Sequence, residues 1–298
     1  MWIPVTLAAA FIQSVRFVLQ KHLRMTGLST AGATLARFFY AWPLLLAMAL
    51  IYALLRGLDL PGTSPGFYLY GVMGALGQIG GTLCTVALFQ HRNFAVGATF
   101  KNTETLQIVP LSLILLGEGV SLGMLGAIAV GVLGLIFLSQ HPGVEGDLRA
   151  RVFNRATALG LGSGFLFGLA AVGYRGAALG LEGGDIFLRS AFGLALLTLF
   201  QTLVMLAWIG WREAGELGRV LASWRVAGLV GVTSLLGSLG WFTAFGLQKA
   251  ALVKALGQTE LIFSFLFSTF LFGERSTGKE LFGIAALIVS IVLVIFLA

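Results

Sequence analysis

Apolar stretches of membrane-spanning length follow one another along this chain, separated by short polar interruptions. A helix needs about 20 mostly apolar residues to cross a bilayer. Ten stretches meet this need and predict helices at residues 2–22, 31–55, 66–89, 94–116, 120–139, 156–179, 186–210, 226–247, 250–272 and 280–297. The longest polar stretches, 141–155 and 211–225, leave no room for a soluble domain. The pattern predicts an all-α integral membrane protein with ten transmembrane helices.

The composition agrees with lipid as the main solvent. Hydrophobic residues make up 58% of the chain and charged residues 10%, with a mean hydropathy of +0.95, whereas soluble domains carry roughly 25% charged residues. The formal charge of +7 comes from Lys and Arg that are spread singly along the chain. Because basic runs are missing, we expect no nucleic-acid partner, and positively charged cytoplasmic loops explain the charge. The expected location is the cell inner membrane, crossed many times.

Two halves of the chain repeat the same polar landmarks. Asn102-Thr-Glu-Thr-Leu106 lies 156 positions before Gln258-Thr-Glu-Leu-Ile262, and the same distance relates Gly117-Glu118 to Gly273-Glu274. The halves 1–140 and 153–298 are therefore predicted to be two five-helix repeats. Since five is odd, the second repeat enters the membrane from the opposite side. Inverted repeats are typical of transporters in which a site between the halves opens to each side in turn.

The fourth helix of each half ends in Gly-Glu and is followed by a short turn and a glycine-bearing fifth helix. These helix ends read Val109-Pro-Leu-Ser-Leu-Ile-Leu-Leu-Gly-Glu118 and Phe265-Leu-Phe-Ser-Thr-Phe-Leu-Phe-Gly-Glu274. In this the whole chain resembles the drug/metabolite transporter superfamily, and specifically its ten-helix EamA-type members. Such proteins commonly carry a proline where Pro110 stands, and Ser264 near the equivalent place departs from this. The resemblance implies a transporter but names no substrate, and it implies that Glu118 and Glu274 mark helix ends at the membrane surface.

Ionisable groups inside a bilayer are costly and are therefore functional candidates. Helix 1 places Gln13, Arg16, Gln20 and Arg24 on one side of an otherwise apolar helix, because residues three and four apart share a face. We interpret Arg16 and Gln20 as facing a water-filled cavity. The alternative is that Arg24 lies at the interface and Arg16 extends towards it.

Helix 4 carries Lys101 and Glu104 on one face, where they could neutralise each other. The second half keeps the carboxylate as Glu260 but has Gly257 in place of the lysine, and its Lys254 stands six residues before the glutamate. Because the spacing is not copied, we expect both glutamates to be functional. They could couple transport to protons or bind a substrate amine.

Arg37 and Arg189 form another pair, each near the start of the second helix of its half. Asp185 lies four residues before Arg189 and could form an ion pair with it. Arg37 has no such local partner, and its planar guanidinium suits a carboxylate or phosphate. An anchor at the membrane interface is the equally open alternative for these arginines.

Four further residues complete the candidate site. They are polar or aromatic side chains in predicted spans: Gln78, Tyr174, Trp241 and Gln258. For the two aromatic residues, helix packing is the competing explanation.

The chain shows no sequence motif for catalysis or for holding a metal. Its three histidines lack metal-ligand spacing, and Cys84 is the only cysteine. We therefore expect no enzyme activity, catalytic residue, metal or cofactor. We expect a secondary transporter of a small metabolite, which is an amino acid or another organic anion or zwitterion. Proton coupling is an option, and the expected assembly is a monomer or a homodimer. The alternatives are an exchanger of phosphorylated metabolites or nucleotide sugars, and a non-transporting membrane scaffold.

Overall fold

A computed structural model describes residues 1–25, 27–88, 101, 103–138, 155–263 and 278–297. In this part of the chain almost every residue is helical, and one antiparallel strand pair joins Gly62–Thr63 to Leu181–Glu182. The elements, in chain order, are α1 (Trp2–Met25), α2 (Thr30–Phe39), α3 (Trp42–Arg56), β1 (Gly62–Thr63), α4 (Pro65–Leu88), α5 (Glu104–Leu116), α6 (Leu122–Leu138), α7 (Arg155–Leu179), β2 (Leu181–Glu182), α8 (Ile186–Arg212), α9 (Glu216–Ala222), α10 (Trp224–Leu247), α11 (Ala250–Leu256) and α12 (Gly278–Leu297).

Long apolar helices dominate the described chain. Six helical segments are long and apolar enough to cross a membrane, and they coincide with the predicted spans 1, 2, 3, 6, 7 and 8: Trp2–Gln20, Thr30–Arg56, Pro65–Leu88, Thr157–Leu179, Ile186–Arg212 and Trp224–Leu247. Three shorter apolar helices fall within the remaining predicted spans: Glu104–Leu116, Leu122–Gly134 and Leu281–Leu297. Large apolar side chains such as Leu54 and Trp211 face outwards, as lipid-facing residues do. The helical content and these apolar segments are those of a membrane protein.

Three predicted spans are interrupted within the described chain. The second breaks between Phe39 and Trp42, because Pro43 has no N–H to donate to the carbonyl four residues earlier, that of Phe39. The ninth, predicted as one helix over 250–272, ends its first segment at Leu256, turns at residues 257–258 and resumes at 259. The fourth, predicted as one helix over 94–116, is interrupted at Thr103, just before α5 begins at Glu104. The prediction of unbroken helices is therefore wrong at these three places. Residues 264–277 lie outside the described chain.

The principal helix contacts join one half of the chain to the other. Helix α1 packs against α10, and α4 packs against α7. Helix α3 packs against α8, and α6 packs against α12. Glycine permits the closest approach, since a Cβ on Gly173 of α7 would lie 2.6 Å from the Cα of Gly74 on α4. The α4 glycines therefore serve close helix packing.

Polar contacts tie the halves together at the end of the bundle where α1 begins. Glu118, which follows the left-handed Gly117 that ends α5, accepts hydrogen bonds of 3.0 and 2.9 Å from Arg175 on α7. Arg175 also donates to the Phe245 carbonyl, and Lys249 donates to the Gly119 carbonyl. Gly117-Glu118 therefore marks a helix end, as the resemblance implied. Its predicted counterpart Gly273-Glu274 lies outside the described residues.

A second carboxylate joins the halves where α2 begins, at the other end of α1. Glu216, at the start of α9, is fully buried and accepts a hydrogen bond from the backbone N–H of Ser29, the residue that caps α2. A negative charge suits this position because the first N–H groups of a helix carry a partial positive charge. The two halves are thus in contact at both ends of the described bundle.

Candidate functional site

A small cavity lies between the two halves, inside the helix bundle. Its volume is about 40 Å³, which is room for about three water molecules. Helices from both halves contribute its lining side chains: Gln13, Phe17, Arg37, Gln78, Lys101, Glu104, Phe167, Ala170, Ala171, Tyr174, Trp241, Phe245 and Lys254. Seven residues of the sequence-based candidate set line it: Arg37, Gln78, Lys101, Glu104, Tyr174, Trp241 and Lys254.

Two lysine–glutamate pairs cross between the halves at this cavity. Lys254 Nζ lies 2.7 Å from Glu104 Oε1, and Lys101 Nζ lies 3.9 Å from Glu260 Oε1. Neutralisation of Lys101 by Glu104, three residues away, is therefore not what the structure shows. The reason is local: Lys101 is helical, Thr103 is in a turn, and α5 starts anew at Glu104. A break in the helix removes the shared face on which that expectation rested.

Gln13 and Trp241 connect the two ion pairs. The Trp241 indole N–H, which can only donate, lies 2.9 Å from Gln13 Oε1. This leaves the Gln13 amide nitrogen to donate to Glu260 Oε2 at 2.6 Å. The Lys254 ammonium lies 4.7 Å from the Trp241 ring centroid, where the ring face attracts a cation. The network thus runs without interruption from Glu260 through Gln13 and Trp241 to Lys254 and Glu104.

Arg37 is the cavity cation that has no carboxylate partner in the described chain. Its side chain is 3% exposed, and it donates to the hydroxyls of Thr82 at 2.8 Å and Ser238 at 3.5 Å. The buried Nε atom of Arg37 has no hydrogen-bond partner. Two neutral hydroxyls do not offset a buried positive charge, so the site retains an attraction for anions.

Arg16 and Gln20 lie next to this site but do not line the cavity. Arg16 is 3% exposed and donates to Gln20, whose amide nitrogen contacts the Ala33 carbonyl on α2. The nearest charged groups acting on Arg16 are Arg37 and Glu260. The burial of Arg16 favours a side chain that lies among the helices over one that extends to the membrane surface. Nothing is described of the Arg24 side chain.

Gln78, Tyr174 and Gln201 form a buried polar cluster at the cavity wall. The Tyr174 hydroxyl lies 2.8 Å from Gln78 Oε1, and the Gln201 amide nitrogen lies 2.9 Å from the same oxygen. Gln201 also donates to the Ala75 carbonyl at 3.1 Å. Three helices, α4, α7 and α8, are thereby fixed to one another through polar side chains.

Besides Arg16, Gln20 and Glu260, two more candidate residues lie outside the cavity lining. Arg189 is half-buried in the first turn of α8. Gln258 is buried near Gly131 of α6, and neither of its side-chain polar atoms has a hydrogen-bond partner. The expected Asp185–Arg189 ion pair is absent among the described contacts. Asp185 instead accepts hydrogen bonds from the Tyr52 hydroxyl at 2.6 Å and the Leu188 N–H at 2.8 Å, capping α8.

The sequence reasoning did not single out several residues at the site. Gln201 carried a usable signal, since an amide within the apolar span 186–210 requires a buried partner. Gln13 belonged to the recognised stripe on α1. The remaining lining residues are apolar and cannot be told from packing residues by sequence alone: Phe17, Phe167, Ala170, Ala171 and Phe245. Within the described chain, no group of three or more His, Cys, Asp or Glu side chains is placed to hold a metal ion.

No protein-family model matches this chain, and no curated protein matches it. Twenty-four chains of solved structures are similar to it. One, described only as a crystal structure of a protein, matches 100% of this chain and 97% of its own length, with a TM-score of 0.73 and 14% sequence identity. At this identity the likeness shows that the two chains share a fold.

Proposed function

We propose that this protein is a secondary transporter that carries a small organic anion or zwitterion across the cell inner membrane by alternating access. The observation that carries the proposal is the cavity between the halves, bounded by two ion pairs whose partners come from opposite halves. Contacts of this kind can be exchanged when one half moves against the other. They also place charged groups where a substrate would be held.

The energetic cost of the cavity argues for function over structure. Each ionised side chain within a bilayer costs a few kcal/mol unless it is paired or hydrated. Five cavity or network residues are ionisable: Arg37, Lys101, Glu104, Lys254 and Glu260. A scaffold could fill the same space with apolar side chains at lower cost. A carrier needs such groups because it must bind and release a polar substrate.

The helix contacts support two inverted five-helix repeats, 1–140 and 153–298, with ten spans in all. If the halves are equivalent, α1 corresponds to α7 and α4 corresponds to α10. The α1–α10 contact and the α4–α7 contact are then the same contact, made once in each direction between the halves. The α3–α8 and α6–α12 contacts each join equivalent helices. This is the pattern that a two-fold relation between inverted repeats produces. It also supports membership of the drug/metabolite transporter superfamily as part of the proposal.

Interrupted helices at the site provide further support. Glu104 is the first residue of α5 after a turn, and Glu260 follows the turn at residues 257–258. Broken helices are a recurring feature of transporter binding sites, because free backbone groups and half-helix ends can face the substrate there. In this conformation the halves are in contact at both ends of the bundle. Transport requires the contacts of Glu118 and Glu216 to open in turn.

The proposal is tested with purified protein in liposomes, by measuring uptake of radiolabelled organic acids and amino acids at several external pH values. We expect uptake of at least one compound, and strong loss of uptake per folded molecule in both Glu104→Gln and Glu260→Gln. The melting temperature of each variant, which Glu104→Gln should lower, sets an assay temperature at which all variants remain folded. Glu182→Gln changes an exposed carboxylate in β2 and is the matched control.

Two results would count against the proposal. Uptake that is equal in the control and in both cavity variants would separate transport from this cavity, and absence of uptake for every compound class would favour a scaffold. Unchanged pH dependence in both variants would rule out proton coupling through these carboxylates. The same assay with phosphorylated metabolites and nucleotide sugars tests exchange of those compounds.

A further inference from the structure

The cavity wall next to Arg37 offers hydrogen-bond donors. A guanidinium group donates through all of its nitrogens and accepts nothing. Arg37 reaches α4 through its 2.8 Å hydrogen bond to Thr82. Gln78 stands one helical turn before Thr82 on α4, and both Arg37 and Gln78 line the cavity. The orientation of the Gln78 amide therefore decides whether this wall favours an anion.

The surrounding hydrogen bonds fix that orientation. The Ala75 carbonyl can only accept, so the Gln201 atom that lies 3.1 Å from it is the amide nitrogen. The same nitrogen lies 2.9 Å from one side-chain atom of Gln78, which must be an acceptor and is therefore Oε1. The Tyr174 hydroxyl donates to this oxygen as well. The Gln78 amide nitrogen is left on the other side, and no described residue accepts a hydrogen bond from it.

We infer that Arg37 and Gln78 form an oxyanion subsite that binds the carboxylate or phosphate group of the transported molecule. The inference rests on the proposed function, since the subsite belongs to the same cavity. Arg37 supplies the positive charge, and Gln78 supplies a neutral N–H₂ group. The Gln78 oxygen is held by Gln201 and Tyr174. Gln201 and Tyr174 act as positioning residues for Gln78.

The charges around the cavity favour the same class of ligand. Arg37, Lys101 and Lys254 carry three positive charges, and Glu104 and Glu260 carry two negative charges, which leaves one positive charge in excess. Arg16, buried directly behind the site, adds another. Binding an anion offsets this excess in a low-dielectric interior, whereas a cationic ligand would increase it. A zwitterion fits if its carboxylate occupies the subsite.

The test is a thermal-shift titration of the detergent-purified protein with sodium phosphate, sodium acetate and sodium chloride at matched ionic strength. A ligand that binds the folded state raises the melting temperature with its concentration. We expect phosphate or acetate to raise the melting temperature further than chloride does. Whichever of the two gives the larger shift indicates whether the subsite binds a phosphate or a carboxylate group. Arg37→Gln and Gln78→Glu should each weaken that binding roughly ten- to hundredfold.

The variants separate binding from folding. In Gln78→Glu one carboxylate oxygen can still accept from Gln201 and Tyr174, while the other replaces the donor group next to Arg37. The melting temperature of the ligand-free variant should therefore be preserved. Arg189→Gln is the matched control, because Arg189 also has a buried Nε atom without a partner but lies outside the cavity lining. Its response to the oxyanions should equal that of the unmodified protein.

The inference is overturned if neither oxyanion stabilises the protein more than chloride, or if both cavity variants respond like the Arg189→Gln control. Failure of the subsite can be distinguished from failure of the proposed transport function. If liposomes take up a neutral or cationic compound in a way that depends on Glu104, the transporter stands and the oxyanion subsite is wrong.

Discussion

The two ion pairs that cross the cavity differ in how tightly they hold. Lys254 and Glu104 are 2.7 Å apart, and the Glu104 side chain is 6% exposed. Lys101 and Glu260 are 3.9 Å apart, and the Glu260 side chain is 13% exposed. Glu260 also shares its other oxygen with Gln13. The same two residue types thus form one direct, buried pair and one longer pair whose carboxylate is divided between two partners.

The difference suggests a division of labour between the halves. Coulomb attraction falls with distance and weakens with access to water. Glu104 therefore holds Lys254 firmly and fixes α5 to α11, whereas Glu260 can release Lys101 at lower cost. We expect the Lys101–Glu260 contact to open first when the cavity opens, and the Lys254–Glu104 contact to maintain the structure around it.

The largest effect is expected from Glu104→Gln. The substitution leaves the Lys254 ammonium buried without a counter-charge, and breaking a buried pair in this way costs about 3–5 kcal/mol of unfolding free energy. The melting temperature in detergent measures the loss. Replacing both partners, in Glu104→Gln with Lys254→Met, should recover most of it. A single variant as stable as the unmodified protein would contradict the tight pair.

Lysine-to-arginine exchanges test the room available at each pair. Lys254→Arg inserts a larger head group into a 2.7 Å contact and should cost about 1–3 kcal/mol, as overpacking usually does. Lys101→Arg enters the looser contact and should cost less than half of that. The melting temperatures of the two variants give the comparison, and equal losses would mean that the two sites are equally tight.

A smaller loss is expected from Glu260→Gln, about 1 kcal/mol. The new amide can still accept from Gln13, and Lys101 retains its position 4.9 Å from the Phe17 ring centroid. Thermal unfolding of this variant beside Glu104→Gln checks the order of the two effects. A loss as large as that of Glu104→Gln would remove the proposed division of labour.

The smallest effect on stability is expected at Asp185. This carboxylate lies outside the spans and shows, by comparison with the cavity pairs, how little a carboxylate near water contributes to the free energy of unfolding. Hydrogen bonds from the Tyr52 hydroxyl and the Leu188 N–H hold the pKa of Asp185 below its ordinary value of 3.8. Its contribution to stability is therefore present above that value and is lost as the pH falls through the lower pKa of the folded state.

We expect Asp185→Asn to lower the unfolding free energy by less than about 0.5 kcal/mol at pH 7, because asparagine also caps helices and water screens the charge. Melting curves at pH 3, 4 and 7 should show that the difference between the variant and the unmodified protein shrinks towards acid pH. A difference that grows towards acid pH would contradict the lowered pKa.

Much of the fold could be predicted from the sequence, because lipid imposes a length and a composition on each span. The six long apolar segments follow from hydropathy alone. The interruption after Phe39 follows from Pro43, a signal that the sequence carries, but those at Thr103 and Gly257 could not be predicted from hydropathy, since these turns depend on neighbouring helices. At Gly257, for example, the Trp241 ring lies where a Cβ would be.

The site was predicted only in part, for a reason that the ion pairs make clear. Spacing along a helix identifies neighbours three or four residues apart, but the partners of Lys101 and Lys254 come from the other half of the chain. Arg189 was matched to Arg37 because each lies near the start of the second helix of its half. The starts of α2 and α8 are 156 residues apart, as are Glu104 and Glu260. With this spacing the residue of the second half that is equivalent to Arg37 is Gly193, not Arg189.

The most direct measurement is the sided accessibility of a cysteine at the cavity, in the variant Ala171→Cys with Cys84→Ser. Ala171 lines the cavity and is buried in this conformation. A membrane-impermeant maleimide is added to right-side-out and to inside-out vesicles, and labelling is followed by mass shift. Alternating access predicts labelling from both sides, with the oxyanion substrate slowing both reactions. Labelling from one side only, or from neither, would contradict it.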